Sequence, residues 1–304
     1  MIIYNGASGG IGRYLGPCIA DRGLEGRPLA SRLEDQDALA TELAELRATG
    51  EVTFIHLAAR VSVPACEADP VAAHRINVEL AAETARRVFD WASGQSVSVR
   101  MVYVSSGHVY AAGAEGVRLS EDAPLGPRSV YARTKLHAEE MLSALSDEAA
   151  MPMRIARVFG LVAPRQQAGY VLPSLVERVR TDRLDVIPGL DFSRDYLDAR
   201  DVCEAILDLA GAEWTTGSRV VNVCSGVPVT IRELLAAVVR AWTPAIDPAV
   251  VDTALAGPGR PDDVRWIVGD PSRLEALTGR ATRRTPLATT VADAVSDATG
   301  GAEA

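Results

Sequence analysis

The chain opens on a short apolar run, Met1–Tyr4, with the length and composition of a buried strand. A glycine-rich turn follows at Gly6–Gly12, and from Ile11 to Arg22 the apolar positions recur at helical spacing. The alternation then repeats. Pro28–Ser31 reads as a second strand, and Asp35–Ala48, rich in Ala, Leu and Glu, as a helix. Val52–Leu57 is a strand of the buried type, Pro70–Trp91 a long helix, and Val97–Ser105 alternates as a strand does. Ser129–Leu145 is helical again, and Met153–Phe159 returns to strand character. Strands alternating with helices of about ten residues or more predict an α/β fold, with a parallel sheet covered on both faces. No internal repeat or low-complexity linker interrupts the pattern.

The texture changes after residue 160. Pro164, Pro173, Pro188, Gly189, Pro228, Pro258 and Pro261 break the chain into shorter elements, as expected of a smaller lobe built from insertions after the sheet strands. Between Arg154 and Arg200, eight arginines stand against six carboxylates. They are either solvated helix faces or a pocket for a pyrophosphate, which arginine forks suit. The tail, Ser296–Ala304, reads as frayed.

Composition narrows the function. With 304 residues, 48% hydrophobic and 23% charged, the chain is of ordinary globular type. A net charge of −9 argues against a nucleic-acid partner. Cys18, Cys66, Cys203 and Cys224 are far apart and read as reduced, buried thiols. The four histidines show no metal-ligand spacing, so no metal is expected. No signal-peptide pattern and no membrane-length apolar stretch occur, which leads to the expectation of a cytoplasmic protein with no membrane partner.

Two features carry chemistry. Gly6-Ala-Ser-Gly9-Gly-Ile-Gly12 lies between a strand and a helix, the context in which backbone amides approach a pyrophosphate. Gly6, Ser8, Gly9, Ile11 and Gly12 are therefore candidate dinucleotide contacts. The second feature is Lys135, the only lysine among 31 basic residues, four positions after Tyr131. A lysine kept in so arginine-biased a chain suggests a site where a compact ammonium is needed. Residues four apart share a helix face, so the pair reads as a tyrosine acid/base beside an ammonium that loosens its proton. A surface Tyr–Lys pair is the bland alternative.

With these placed, the chain resembles the extended short-chain dehydrogenase/reductases, the NAD-dependent epimerase/dehydratase family. The resemblance implies a Rossmann doubly wound sheet over 1–160, with segments near 194–225 returning to it. A smaller C-terminal substrate lobe would comprise 161–193 and 226–304. His56-Leu-Ala-Ala59 is similar to the strand end lying against the dinucleotide, which implies contacts from Leu57, Ala58 and Ala59, and Asn77 matches the family's helix Asn. Val104-Ser-Ser-Gly-His-Val-Tyr110 resembles the S-S-x-x-V-Y strand end, whose second serine, here Ser106, bonds the reacting oxygen. Arg194-Asp-Tyr196 with Asp201-Val, Val221-Asn-Val-Cys-Ser-Gly226, and Arg260-Pro-Asp-Asp-Val264 with Gly269-Asp270 resemble later family segments. In those segments, Arg194 and Arg260 would hold a nucleotide phosphate. The implied catalytic set is Ser106, Tyr131 and Lys135, and the family expectation is a homodimer.

Departures from the family pattern refine the reading. Family dehydratases carry Asp-Glu where this chain has Gly107 and His108, which makes a 4,6-dehydratase unlike it. His108 is left as a structural ring or an extra acid/base facing substrate. Arg157 replaces the family Asn, changing a sugar or phosphate contact. At the second strand's end, Ala30, Ser31 and Arg32 replace the acid that binds an NAD ribose, which suits NADP before NAD. Gly169-Tyr-Val-Leu-Pro-Ser174, with the segment after Arg194, is most similar to the GDP-sugar 4-ketoreductases. The leading expectation is 4-keto reduction of a nucleotide-activated deoxysugar; the alternative is a 4-epimerase with tightly held NAD. A catalytically silent dinucleotide-sensing regulator would have lost Tyr131 or Lys135, and a reductase of apolar ketones would not line its lobe with arginines.

Overall fold

The structure, a computed structural model, describes residues 1–300 apart from 96, 185, 215–218, 243–249 and 258–263. In the first half the strands are β1 (Ile2–Tyr4), β2 (Gly26–Pro28), β3 (Glu51–His56), β4 (Ser98–Ser106) and β5 (Met153–Val158). Later come β6 (Gly160–Val162), β7 (Val186–Pro188), β8 (Ser193–Asp198), β9 (Val220–Val223), β10 (Pro228–Thr230), β11 (Leu255–Gly257) and β12 (Trp266–Ile267). The helices before β5 are α1 (Gly12–Asp21), α2 (Gln36–Glu45), α3 (Val63–Ala68), α4 (Pro70–His74), α5 (Leu80–Gln95) and α6 (Val130–Glu148). Those after it are α7 (Val171–Arg180), α8 (Ala199–Gly211), α9 (Ile231–Trp242), α10 (Val250–Thr253), α11 (Ser272–Thr278) and α12 (Leu287–Gly300).

Six parallel strands form the main sheet in the order β2-β1-β3-β4-β5-β9, and the strand order reverses between β1 and β3. Successive side chains point to opposite faces. Ile3, Phe54, Met101, Tyr103 and Ile155 pack on one face with Leu39 and Leu43 of α2, Val88 and Phe89 of α5, and Leu142 of α6. Ile2, Ile55, Val102, Val104 and Ala156 pack on the other with Leu15 and Ile19 of α1, Val202 and Ile206 of α8, and Leu274 of α11. Burial on both faces is why β3 and β4 read as near-continuous apolar runs. The fold is thus the expected Rossmann-like doubly wound sheet.

A second, smaller sheet runs β10-β8-β12, with β6 also paired to β8. Beside it, α7, α9 and α12 bury Leu172, Leu175, Leu234, Val238 and Val291 in a separate core. The two regions are pinned together by a carboxylate. Asp195 of β8, fully buried, accepts hydrogen bonds from the amides of Ser225 (2.7 Å), Gly226 (2.8 Å) and Gly269 (3.2 Å). Asp198 caps α8 and takes the Thr290 hydroxyl at 2.7 Å, while Asp201 holds the Thr285 hydroxyl at 3.0 Å. The acidic residues of this segment therefore serve the fold.

Three elements differ from expectation. The second strand lies at Gly26–Pro28 rather than Pro28–Ser31, because the Ala30 and Ser31 amides turn to the Glu42 carboxylate. The long helix expected over Pro70–Trp91 carries a π-helical turn at Arg75–Glu79. The expected frayed tail is helical as far as Gly300, and residues 301–304 lie outside the described residues. Among the described residues no helix is long and apolar enough to cross a membrane, and no group of three metal-binding side chains occurs.

Candidate active site

The glycine turn sits at the carboxyl end of β1, where the strand order reverses, the place at which open α/β sheets bind ligands. Its glycines are required by contact. Gly6 has φ +69°, and a Cβ on it would stand 2.8 Å from the Ala58 nitrogen. A Cβ on Gly12 would meet the Gly6 carbonyl oxygen at 2.1 Å. The Gly9 amide closes the turn on the Gly6 carbonyl at 2.9 Å. Gly6 thereby lies against the end of β3, where Leu57, Ala58 and Ala59 are only partly covered, and Ser8, Gly9, Ile11 and Gly12 carry the turn on into α1. This backbone cradle at the N-terminus of the ten-residue α1 fits a dinucleotide pyrophosphate. Asn5 holds the cradle's two halves together. Its side-chain oxygen accepts from the Leu57 (2.8 Å) and Ala58 (3.0 Å) amides, and its nitrogen meets His56 Nδ1 at 3.0 Å. Burial, then the Lys135 charge, lowers the His56 pKa to about 3, so this ring is neutral.

Ser106, Tyr131, Lys135 and His108 come together at the carboxyl end of β4. Ser129 caps α6 by accepting the Ala132 amide at 3.1 Å, which starts the helix just before Tyr131. Ser106 ends β4, and its Oγ accepts the His108 amide at 3.2 Å. Burial pushes the Tyr131 phenol well above the ordinary tyrosine value, and a hydrogen bond with Ser106 pulls it part of the way back. The His108 ring stands edge-on to Tyr131 at 6.2 Å, with its side chain exposed toward the site.

Lys135 is not the surface residue of the bland alternative. It is 3% exposed, its Nζ donates to the Val104 carbonyl at 2.6 Å, and it lies 4.3 Å over the Tyr103 ring. Burial lowers its pKa to about 7, with the Glu139 carboxylate opposing that shift. The phenol is therefore a firmly protonated acid, and the buried amine is poised near neutrality.

Arg157 is the clearest correction. Expected at the substrate, it is 4% exposed and grips Glu139 with both ends of its fork, Nη2 to Oε2 at 2.6 Å and Nε to Oε1 at 3.0 Å. Ser105 donates to the same carboxylate, and the guanidinium lies 4.8 Å over the Tyr110 ring. Tyr110 in turn donates to Asn222 at 2.7 Å. An isolated charge this deep would be costly, so the ion pair keeps Arg157 inside. Asn77 is buried too, at the foot of the site. Its amide accepts from the Arg60 backbone nitrogen (2.7 Å) and donates to the Arg60 carbonyl (3.0 Å) and Thr134 Oγ1 (2.9 Å). These bonds brace the walls of the site around a side chain that is itself buried.

The remaining expected contacts divide. Arg32 is exposed just beyond β2, but the neighbouring Ser31 hydroxyl, expected to face a 2′-phosphate, donates to Glu42 at 2.6 Å. Arg194 is half-buried on β8, its guanidinium 5.6 Å from the Phe192 ring. Arg260 lies outside the described residues. Sequence reasoning missed Asn5, Glu42 and Glu139. Glu139 had a legible signal, since 131, 135 and 139 follow one another at helical-turn spacing on α6.

Residues 2–224 match the model of the NAD dependent epimerase/dehydratase family. GDP-6-deoxy-D-mannose reductase of Pseudomonas aeruginosa is 32% identical over 189 residues. That alignment covers 60% of this chain and 60% of the reductase, so the chain spans under two thirds of that relative's length. The solved structure of RMD from Pseudomonas aeruginosa complexed with NADPH matches with TM-score 0.80 at 25% identity, over 97% of this chain and 98% of that one. The UDP-glucose 4-epimerase of Thermus thermophilus complexed with NAD shares the fold, with TM-score 0.79 at 24% identity over 98% of this chain and 99% of that one.

Proposed function

The chain belongs to the NAD dependent epimerase/dehydratase family, and from that premise we propose that it reduces the 4-keto group of a nucleotide-activated deoxysugar. The observation that carries this reading is the convergence of Ser106, Tyr131 and Lys135 at the end of β4, beside the glycine cradle. Bound in that cradle, NAD(P)H supplies the hydride. Tyr131 holds the proton that the substrate oxygen receives, and its raised pKa keeps that proton available at neutral pH. Ser106 donates to the same oxygen and fixes where the reacting carbon lies. Protonated Lys135 stabilises the phenolate left behind, and its low pKa lets it pass a proton on without a large barrier.

The residues after Ser106 argue against elimination chemistry. A Cβ at Gly107 would meet the Phe159 ring carbons at 2.9–3.0 Å, so the first acid of a dehydratase pair has no room. We read the second sheet with α7, α9 and α12 as the substrate lobe, where Arg194 receives a nucleotide phosphate. The reductase among the relatives favours the reductive direction. A 4-epimerase that retains NAD is the second reading, favoured by the Glu42 carboxylate standing where 2′-phosphate partners were expected. A homodimer remains the family expectation and is checked by light scattering.

The test presents the purified protein with NADH or NADPH and a nucleotide-linked 4-keto-6-deoxysugar, and in parallel with the free ketosugar. Stoichiometric consumption of reduced dinucleotide with the linked sugar alone supports the reductase. Interconversion of nucleotide sugars without net consumption, with NAD found in the protein by mass spectrometry, transfers the reading to the epimerase. Equal turnover of the free ketone overturns nucleotide-sugar recognition.

A further inference from the structure

The anchor of the second strand carries a device that the glycine fingerprint does not announce. β2 stays in register with β1 through Leu29, whose amide donates to the Tyr4 carbonyl at 2.7 Å. The next two residues leave the sheet, and their polar hydrogens all converge on one side chain from the following helix. Glu42 Oε1 accepts the Ala30 amide at 2.8 Å, while Oε2 accepts the Ser31 amide at 3.1 Å and the Ser31 hydroxyl at 2.6 Å. The carboxylate cannot drift from this place easily, because α2 is nailed to the core by Leu39 and Leu43. Burial works against its charge, but the Ser31 and Ala30 hydrogen bonds and the nearby Arg27 outweigh burial and hold its pKa below the ordinary glutamate value.

The position is the one where dinucleotide-binding sheets distinguish their cofactors. An acid beyond the glycine turn takes the ribose hydroxyls, whereas a cation there accommodates a 2′-phosphate. This chain has no acid at the strand end itself, and Ser31 and Arg32 alone suggest a phosphate. The fold reverses that suggestion. Two amides and a hydroxyl form a nest for a single anion, and Glu42 is already that anion. A carboxylate with lone pairs to spare can accept a ribose 2′-hydroxyl. A phosphate brought to the same donors would have to displace the carboxylate or face its charge at close range.

We propose that Glu42 is the specificity-determining residue of the dinucleotide site, excluding the 2′-phosphate so that the protein binds NAD(H) in preference to NADP(H). This deepens the dinucleotide reading given above and rests on it. Removing the carboxylate frees the Ala30 and Ser31 donors, leaves Arg27 and Arg32 beside them, and turns the nest into a phosphate site.

The experiment measures dissociation constants of NADH and NADPH, by titration calorimetry, for the parent protein, Glu42→Ala and Glu42→Gln. The parent is expected to bind NADH at least tenfold more tightly than NADPH. Both variants should weaken NADH and strengthen NADPH, moving the ratio by tenfold or more. A parent that prefers NADPH, or a ratio unchanged by both substitutions, overturns the role of Glu42 while leaving the dinucleotide site standing. Failure of the parent to bind either nucleotide overturns the dinucleotide reading itself, and this inference with it. A salt series on the parent gives a measure that needs no variant. Charge exclusion predicts that the discrimination against NADPH shrinks as ionic strength rises, and a discrimination independent of salt contradicts it.

Discussion

Adding one methyl group to the glycine turn should separate Gly12 sharply from Gly10. At Gly12 a Cβ would lie 2.1 Å from the Gly6 carbonyl oxygen and 2.8 Å from Ala7 Cα, all backbone that no rotamer change can clear. Restoring an ordinary contact of 3.4 Å requires the turn to open by about 1 Å. The amides at the start of α1 move with it, and a displacement of that size removes the geometry of their bonds to a pyrophosphate. Losing two charge-assisted bonds of about 1.5 kcal/mol each costs about 3 kcal/mol, more than a hundredfold in Kd. Gly10, two residues earlier, is the matched control: its Cβ would meet only Leu161 Cδ2, at 3.5 Å, which is ordinary contact. We therefore expect Gly12→Ala to lose dinucleotide affinity by at least a hundredfold, and Gly10→Ala to stay within about threefold of the parent. Quenching of protein fluorescence by reduced dinucleotide gives the affinities, and far-ultraviolet circular dichroism checks the fold. If both variants bind alike, the cradle is not where the pyrophosphate sits.

Lys135→Met keeps the buried stem but removes the amine, and should lower kcat by at least about a hundredfold while the circular dichroism spectrum is unchanged. The lysine pKa, lowered to about 7 from 10.5, also fixes a pH dependence. Between those values the unfolded chain holds a proton that the native amine has released, so the stability of the dinucleotide-free protein should rise with pH across that window. Urea titrations at several pH values should show this rise in the parent and a flatter line in Lys135→Met. Arg157→Met strands the Glu139 carboxylate in the core and should cost about 3–5 kcal/mol in denaturation, with KM for substrate unchanged. A raised KM at full stability would return Arg157 to the substrate site. Arg194→Ala should raise KM for the nucleotide sugar by about ten- to a hundredfold with less effect on kcat, and unchanged kinetics would make it a surface residue.

Legibility in the sequence followed how local each constraint is. The glycine turn was readable because a backbone approach demands glycine at fixed spacing, whatever surrounds it. Tyr131 and Lys135 were readable because one helical turn guarantees their proximity. Arg157 was misread although its strand held the answer. It shares the parity of Ile155, which packs in the core between the sheet and α6, and so it faces Glu139 rather than the solvent rim. Asn77 matched a family position, but its partners Arg60 and Thr134 come from elements distant in sequence, and only tertiary packing brings them within reach. The second strand was displaced for a similar reason. Its residues have strand-like character, yet the Glu42 side chain from the next helix competes successfully for their amides.

The solitary lysine also gives the protein an unusual analytical handle. Amine-selective reagents ordinarily decorate many surface lysines and report nothing about any one of them. Here the sequence offers a single ε-amine, and its burial and low pKa make it both shielded and nucleophilic. Intact-mass detection of ε-acylation, with the α-amine separated by fragmentation, is thus a direct clock for how often the packing around Lys135 opens. Any ligand that tightens that packing registers as a slower clock, without a chromogenic substrate or a label attached in advance.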